Sequence, residues 1–229
     1  MADSLKDSAK RVLLFIGTFL SVRAVFCLDA AINYLELGRW MRAKGYETSR
    51  RFAHREDLYD LIGKEVGQRD VLYMEFGVYQ GEATRYWSKL LLNPRSRLHG
   101  FDSFEGLPEN WLSHIQKGHF DTDGAIPQIE DPRVKFFKGW FQDTLPNYEY
   151  SPHEILVINL DADLYSSTIY VLRALKDRII PGTYLYFDEF CSRRDELRAF
   201  DEFINETGMK FSLLWGTQTL RHVVFRRDG

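Results

Sequence analysis

The chain has 229 residues, 45% hydrophobic and 28% charged, with a formal net charge of −3. That length suits one α/β domain with a large core, and the mildly acidic balance excludes a dedicated nucleic-acid binder. Cys27 and Cys191 lie far apart, with no zinc-type Cys/His spacing and no disulfide framework. We therefore expect a reducing compartment, the cytoplasm.

Residues 12–28 are strongly apolar and follow Lys6, Lys10 and Arg11. The stretch falls short of the roughly 20 apolar residues that a spanning helix needs. It is diluted by Gly17, Thr18, Ser21 and Arg23, and no small-x-small cleavage site follows. We read it as a helix that packs or forms a homo-oligomer, with lipid contact as the lesser alternative. A second helix is predicted over residues 30–44. Arg39, Arg42, Lys44, Arg50, Arg51 and Arg55 then make a basic stretch, read as a solvated face. Residues 1–68 thus form a helical extension and residues 69–229 the main domain.

From Val71 onward, strand and helix signals alternate. Short apolar runs at residues 71–76, 97–101, 134–137, 155–160 and 183–187 read as buried parallel strands. Amphipathic stretches at 83–92, 166–178 and 194–207 read as the intervening helices. Residues 211–215 and 220–225 flank Gly216-Thr-Gln-Thr219 and read as an antiparallel hairpin. The expected fold is α/β: a Rossmann-like, mostly parallel, seven-stranded sheet with an antiparallel C-terminal hairpin.

In such sheets ligands bind beyond the carboxyl ends of the strands. The first strand runs into Glu75-Phe-Gly77-Val-Tyr-Gln-Gly81. Its glycines allow a tight turn and a close backbone approach, but the spacing is not the GxGxxG of a pyrophosphate loop. An acid beside that loop suits a zwitterionic ligand with an ammonium group. Asp102 ends the second strand, about 20 residues on, where an acid can accept ribose hydroxyls or cap a helix. Gly139 and Trp140 follow the third strand, where an aromatic could wall an adenine pocket. The fourth strand ends in Asp161-Ala-Asp163 and the fifth in Asp188-Glu189. Four converging carboxylates repel one another, and a hard divalent cation such as Mg²⁺ would relieve them. Residues 101–165 carry twelve acids against four bases, consistent with a site for a cation.

Four segments together resemble the macrocin O-methyltransferase family. They are Asp102-Ser-Phe-Glu-Gly-Leu-Pro-Glu109, Lys138-Gly-Trp-Phe-Gln-Asp-Thr-Leu-Pro146, Leu160-Asp-Ala-Asp-Leu-Tyr-Ser-Ser-Thr168 and Pro181-Gly-Thr-Tyr-Leu-Tyr-Phe-Asp-Glu189. The resemblance covers residues 71–225. It implies a class I methyltransferase fold, S-adenosylmethionine as methyl donor, Mg²⁺, and a small-molecule acceptor that is a sugar or glycoside. Cofactor contacts are expected at Glu75, Gly77, Tyr79, Gly81, Thr84, Asp102, Ser103, Gly139, Trp140 and Asp161. The family's metal ligands fall on Asp161, Asp188 and Glu189, where the family pattern usually has Asp-Asp for the last two. Asp163 is the expected general base, with His119 as a second candidate. The turn-rich loop 106–129, which holds Trp111, His114, His119, Asp121 and Asp123, is expected to be a lid over the acceptor. A catechol-type O-methyltransferase and a non-catalytic cofactor-binding scaffold are the rival readings.

Overall fold

The computed structural model describes residues 2–47, 50–111 and 115–229, with side chains from residue 6 onward. Two helices open the chain, α1 (Ala2–Gly17) and α2 (Val22–Lys44). The break between them falls inside the apolar stretch, not near residue 29 as its composition suggested. Ser21 causes it: its hydroxyl accepts the Ala24 N–H at 3.2 Å and caps α2. Gly45 ends α2 in the left-handed conformation, at φ 72°.

A two-residue strand β1 (Arg51–Phe52) and helix α3 (Arg55–Val66) follow. Next come β2 (Val71–Phe76), α4 (Glu82–Leu90), β3 (Arg97–Asp102), β4 (Val134–Lys138) and the short α5 (Phe141–Thr144). The chain finishes with β5 (Ile155–Leu160), α6 (Tyr165–Leu175), β6 (Tyr184–Phe187), α7 (Glu196–Thr207), β7 (Phe211–Thr217) and β8 (Val223–Arg227). The strands form one eight-stranded sheet in the order β1-β7-β8-β6-β5-β2-β3-β4. Strands β4, β3, β2, β5 and β6 are mutually parallel, and β8 is antiparallel to both β6 and β7. The strand beyond the seven predicted is β1, which pairs parallel with β7 at the sheet edge. Two residues are too few for a period-2 pattern to show in sequence.

Strand β2 shows how the sheet divides the core. Successive side chains point to opposite faces. Leu72, Met74 and Phe76 join the cluster under α6 and α7, while Val71 and Tyr73 join the cluster under α3 and α4. Helix α3 buries Leu58, Tyr59, Ile62 and Val66, a face whose spacing is helical. Helix α2 is tied to the domain from Asp29 onward, where Arg193 and Arg194 pair with the Asp29 carboxylate at 2.8 and 2.9 Å, and its apolar packing begins further along. Leu37 is buried, Trp40 packs edge-on against Phe190, and the Trp40 indole N–H donates to Asp201 at 2.7 Å.

Phe200 on α7 sits in the densest aromatic group, with ring centroids 4.5 Å from Phe225 and 5.2 Å from both Phe187 and Phe211. It is fully buried. Phe200→Ala is expected to destabilise the fold by about 3–5 kcal/mol, the range for emptying a buried phenylalanine site. A urea titration reads this as a lower midpoint at unchanged slope.

Candidate active site

The carboxyl ends of the parallel strands open into a cavity of about 1050 Å³. Its floor begins with the turn after β2. Gly77 has φ +90°, a region that costs a side chain strain, and a Cβ there would lie 1.8 Å from the Asp161 carbonyl oxygen. The glycine is thus needed for β2 and β5 to end side by side. Gly81 caps α4 at φ +74°. Tyr79 between them takes φ +50°, lines the cavity and stands edge-on to Phe120 at 5.6 Å.

Glu75 is buried at the cavity wall. The Thr84 hydroxyl donates to it, and Tyr73 donates at 3.1 Å. Thr84 itself is fully buried and does not line the cavity, so its part is to hold Glu75. Burial raises the Glu75 pKa to about 8, against the opposing hydrogen bonds from Thr84 and Tyr73.

Asp102 ends β3 and organises the same loop. Its Oδ2 accepts the N–H groups of Val78 at 2.7 Å and Tyr79 at 2.8 Å, and its Oδ1 accepts that of Phe104 at 2.7 Å. A carboxylate offers about four acceptor positions, so one remains toward the cavity. Ser103, Gly139 and Trp140 also line it. Ser103 ties down its own turn by accepting the Glu105 N–H at 3.1 Å.

At the other end stand the acids of β5 and β6. Asp161, Asp163, Asp188 and Glu189 all line the cavity. Burial, then the charges of Asp188 and Asp163, raise the Asp161 pKa well above the carboxylate range. Asp163 sits at φ +58°, a conformation unusual for a residue with a side chain. Burial, followed by the charges of Glu189, Asp188 and Asp195, brings its pKa to about 7. Tyr186 donates to Asp188 at 2.9 Å. Arg55, at the start of α3, stands 3.5 Å from Asp188, as does His222. Burial lowers the His222 pKa, so Arg55 is the cation that faces Asp188. Arg221 pairs with Glu189. Glu196 on α7 is fully buried and accepts the Glu189 N–H at 2.8 Å, which anchors the turn after β6. Burial, then Asp188, raises its pKa well above the ordinary value.

Among the described residues, no group of three His, Cys, Asp or Glu side chains is arranged as a ready metal cluster. The donor chemistry of Asp161, Asp188 and Glu189 nevertheless suits a hard dication: crowded carboxylate oxygens whose mutual repulsion it would relieve. In this arrangement Arg55 and Arg221 supply that relief instead.

The loop over residues 106–129 covers one side of the cavity through Leu107, Trp111 and Phe120. The Trp111 indole donates to Asp195 at 3.0 Å, which ties the loop to the turn before α7. His119 is not brought to the acids: it is exposed, does not line the cavity and stands edge-on to Phe120. His114 lies outside the described residues. Asn33 and Tyr34 of α2 line the opposite side. Neither they nor Arg55 and Arg221 carry a motif in sequence, because each reaches the site from an element distant along the chain.

A parallel sheet closed by an antiparallel hairpin, with a glycine turn after the first core strand and acids at the later strand ends, defines a class I methyltransferase fold. The sequence profile of the macrocin-O-methyltransferase (TylF) family matches residues 48–219, and the chain belongs to that family. The 8-demethyl-8-(2,3-dimethoxy-alpha-L-rhamnosyl)-tetracenomycin-C 4'-O-methyltransferase of Streptomyces olivaceus is 30% identical over 146 residues, 51% of this chain and 52% of that one. The demethyldecarbamoylnovobiocin O-methyltransferase of Streptomyces niveus is 36% identical over 175 residues, 65% of this chain and 63% of that one. The chain thus matches between half and two thirds of the length of these two relatives. Among solved structures, the O-methyltransferase NovP superposes with a TM-score of 0.57 at 25% identity, over 76% of this chain and 78% of that one.

Two predictions follow from this geometry. Gly77→Ala has no room for its Cβ against the Asp161 backbone, so calorimetry should show cofactor binding lost or weakened by more than ten-fold. The second concerns Glu75, whose folded pKa of about 8 lies above an unfolded value near 4.5. The native state therefore holds more protons between those values, and unfolding free energy falls as pH rises through that window. Glu75→Gln should flatten this fall between pH 5 and 8 in denaturant titrations. An equally steep fall in the variant would assign it to other groups.

Proposed function

We propose that the protein transfers a methyl group from S-adenosylmethionine to a hydroxyl of a sugar or glycosylated small molecule. The observation that carries this reading is the placement of Asp163 in the same cavity as the Gly77 turn and Asp102. Membership of the macrocin-O-methyltransferase family, and relatives whose names specify sugar or glycoside methylation, support it.

Glu75 and the Gly77 turn would take the amino-acid end of the cofactor, Asp102 its ribose through the remaining acceptor position, and Trp140 a face of the adenine. The sulfonium makes the methyl carbon electrophilic, so the protein has to present an oxygen in line with it. A sugar hydroxyl is weakly acidic and needs a base as its oxygen attacks. Asp163 is suited to accept that proton, because a base works best with a pKa near the working pH. The O–H bond breaks to Asp163 as the new O–CH₃ bond forms and the S–CH₃ bond breaks, leaving S-adenosylhomocysteine. Trp111 and Phe120 shield the cavity from water on the loop side.

Asp161, Asp188 and Glu189 are the residues that would hold Mg²⁺. When bound, the ion would supply a Lewis acid that acidifies and orients neighbouring hydroxyls.

The test is turnover on parallel panels of glycosides and catechols, with the Asp163→Asn variant alongside. Glycosides should be methylated, and Asp163→Asn should lower kcat by roughly 10²–10⁴-fold while S-adenosylmethionine affinity is unchanged. Chelator should depress turnover and added Mg²⁺ restore it. Methylation of catechols alone would overturn the sugar reading, and full activity in chelator would remove the metal.

A further inference from the structure

Helix α1 touches little of the domain it precedes. Every residue from Lys6 to Arg23 is exposed. Residues 12–16 are Val-Leu-Leu-Phe-Ile, and each is at least 46% exposed. Five consecutive helical residues, at 100° apiece, point to every side of the helix. The apolar surface therefore runs all round the last turns of the helix, while residues 6–11 before it are mostly polar. It continues through Phe19 and onto α2 at Val22, Val25 and Leu28, all exposed. A patch of this extent on a folded chain marks an interaction surface.

Its chemistry distinguishes among occupants. Residues 2–33 carry four bases, Lys6, Lys10, Arg11 and Arg23, against three acids, Asp3, Asp7 and Asp29, in a chain that is acidic as a whole. Asp7 pairs with Lys10 at 3.2 Å, and Asp29 is neutralised by Arg193 and Arg194 of the domain, which leaves Lys6, Arg11 and Arg23 against Asp3 and a net positive rim. Two copies meeting here would bring like charges together. An anionic lipid surface surrounds what enters it and complements the basic rim.

The turn between α1 and α2 carries a second, independent sign. Backbone groups entering lipid must be hydrogen-bonded within the protein. Here the N–H groups of Thr18, Phe19 and Leu20 donate to the carbonyls of Phe15, Ile16 and Gly17 at 3.1, 3.0 and 3.2 Å. The Thr18 hydroxyl donates to the Phe15 carbonyl at 2.7 Å, and the Ser21 hydroxyl accepts the Ala24 N–H. These donors of the turn are satisfied locally, without the domain. No described helix is long and apolar enough to cross a membrane, so the fit is to an interfacial seat and not a span.

We propose that α1 and the first half of α2 seat the protein on an anionic lipid surface. Helix α2 also walls the cavity through Asn33 and Tyr34, so the lipid-facing segment continues into the wall of the site.

The experiment is co-sedimentation of the full chain with phosphatidylcholine vesicles, with and without about 30% phosphatidylglycerol, beside a mass measurement of the free protein. Partitioning should be at least ten-fold stronger with the anionic lipid and should weaken in high salt. The double variant Leu14→Glu/Phe15→Glu should lose it. Arg11→Ala/Arg23→Ala should weaken it by roughly ten-fold or more, since each basic residue near such a surface contributes about a five-fold factor. Retained S-adenosylmethionine binding checks that the variants are folded. No partitioning, or equal partitioning to neutral vesicles, overturns the proposal. So does a dimer of the free protein that Leu14→Glu/Phe15→Glu dissociates, which would assign the surface to a second copy. None of these readouts requires turnover, so they stand apart from the fate of the proposed reaction.

Discussion

Crowded negative charge at the ends of β5 and β6 is the constraint around which the site is arranged. The two strands are hydrogen-bonded neighbours, so the acids that follow them cannot move apart. Each is also withdrawn from water, which makes ionisation costlier still. The structure answers with cations from far along the chain: Arg55 faces Asp188 and Arg221 pairs with Glu189. Tyr186 adds a hydrogen bond to Asp188 from within the same strand. Burial first, and the remaining repulsion after it, raise the proton affinity of Asp161 and Asp163.

The turn after β2 is built on a similar economy of parts. Asp102 gathers three backbone N–H groups, from Val78, Tyr79 and Phe104. Those bonds hold two loops from different strand ends in one arrangement. Gly77 allows the β2 turn to lie against the Asp161 backbone, which brings the glycine turn and the acids into a single cavity. Structural and ligand-facing roles are therefore carried by the same carboxylates. The N-terminal helices stand outside this economy: α2 joins the core only from Leu37 onward, and α1 presents its apolar residues outward.

Much of this was legible in sequence. The five parallel strands, helices α4, α6 and α7 and the C-terminal hairpin were marked by hydrophobic periodicity, a local property that burial in a sheet imposes on each segment separately. Glu75, Gly77, Asp102, Asp161, Asp163, Asp188 and Glu189 could be read as a group because each follows a strand, and parallel strands all end at the same edge. Strand β1 left no pattern in two residues. Pairing of Arg55 with Asp188 and of Arg221 with Glu189, and the support of Glu75 by Thr84 and Tyr73, join residues whose association no single segment encodes. His119 shows the converse: its place in a polar loop made it a candidate, yet the path of that loop leaves it exposed and outside the cavity. The sequence by itself determined where the five parallel strands, the hairpin and helices α4, α6 and α7 lie and which chemistry stands at the strand ends, because those follow from local pattern and from the direction of the chain. Only the tertiary structure decided which cations meet the acids, which loop residues reach the cavity and which apolar helix stays uncovered, because these depend on how distant elements pack in three dimensions.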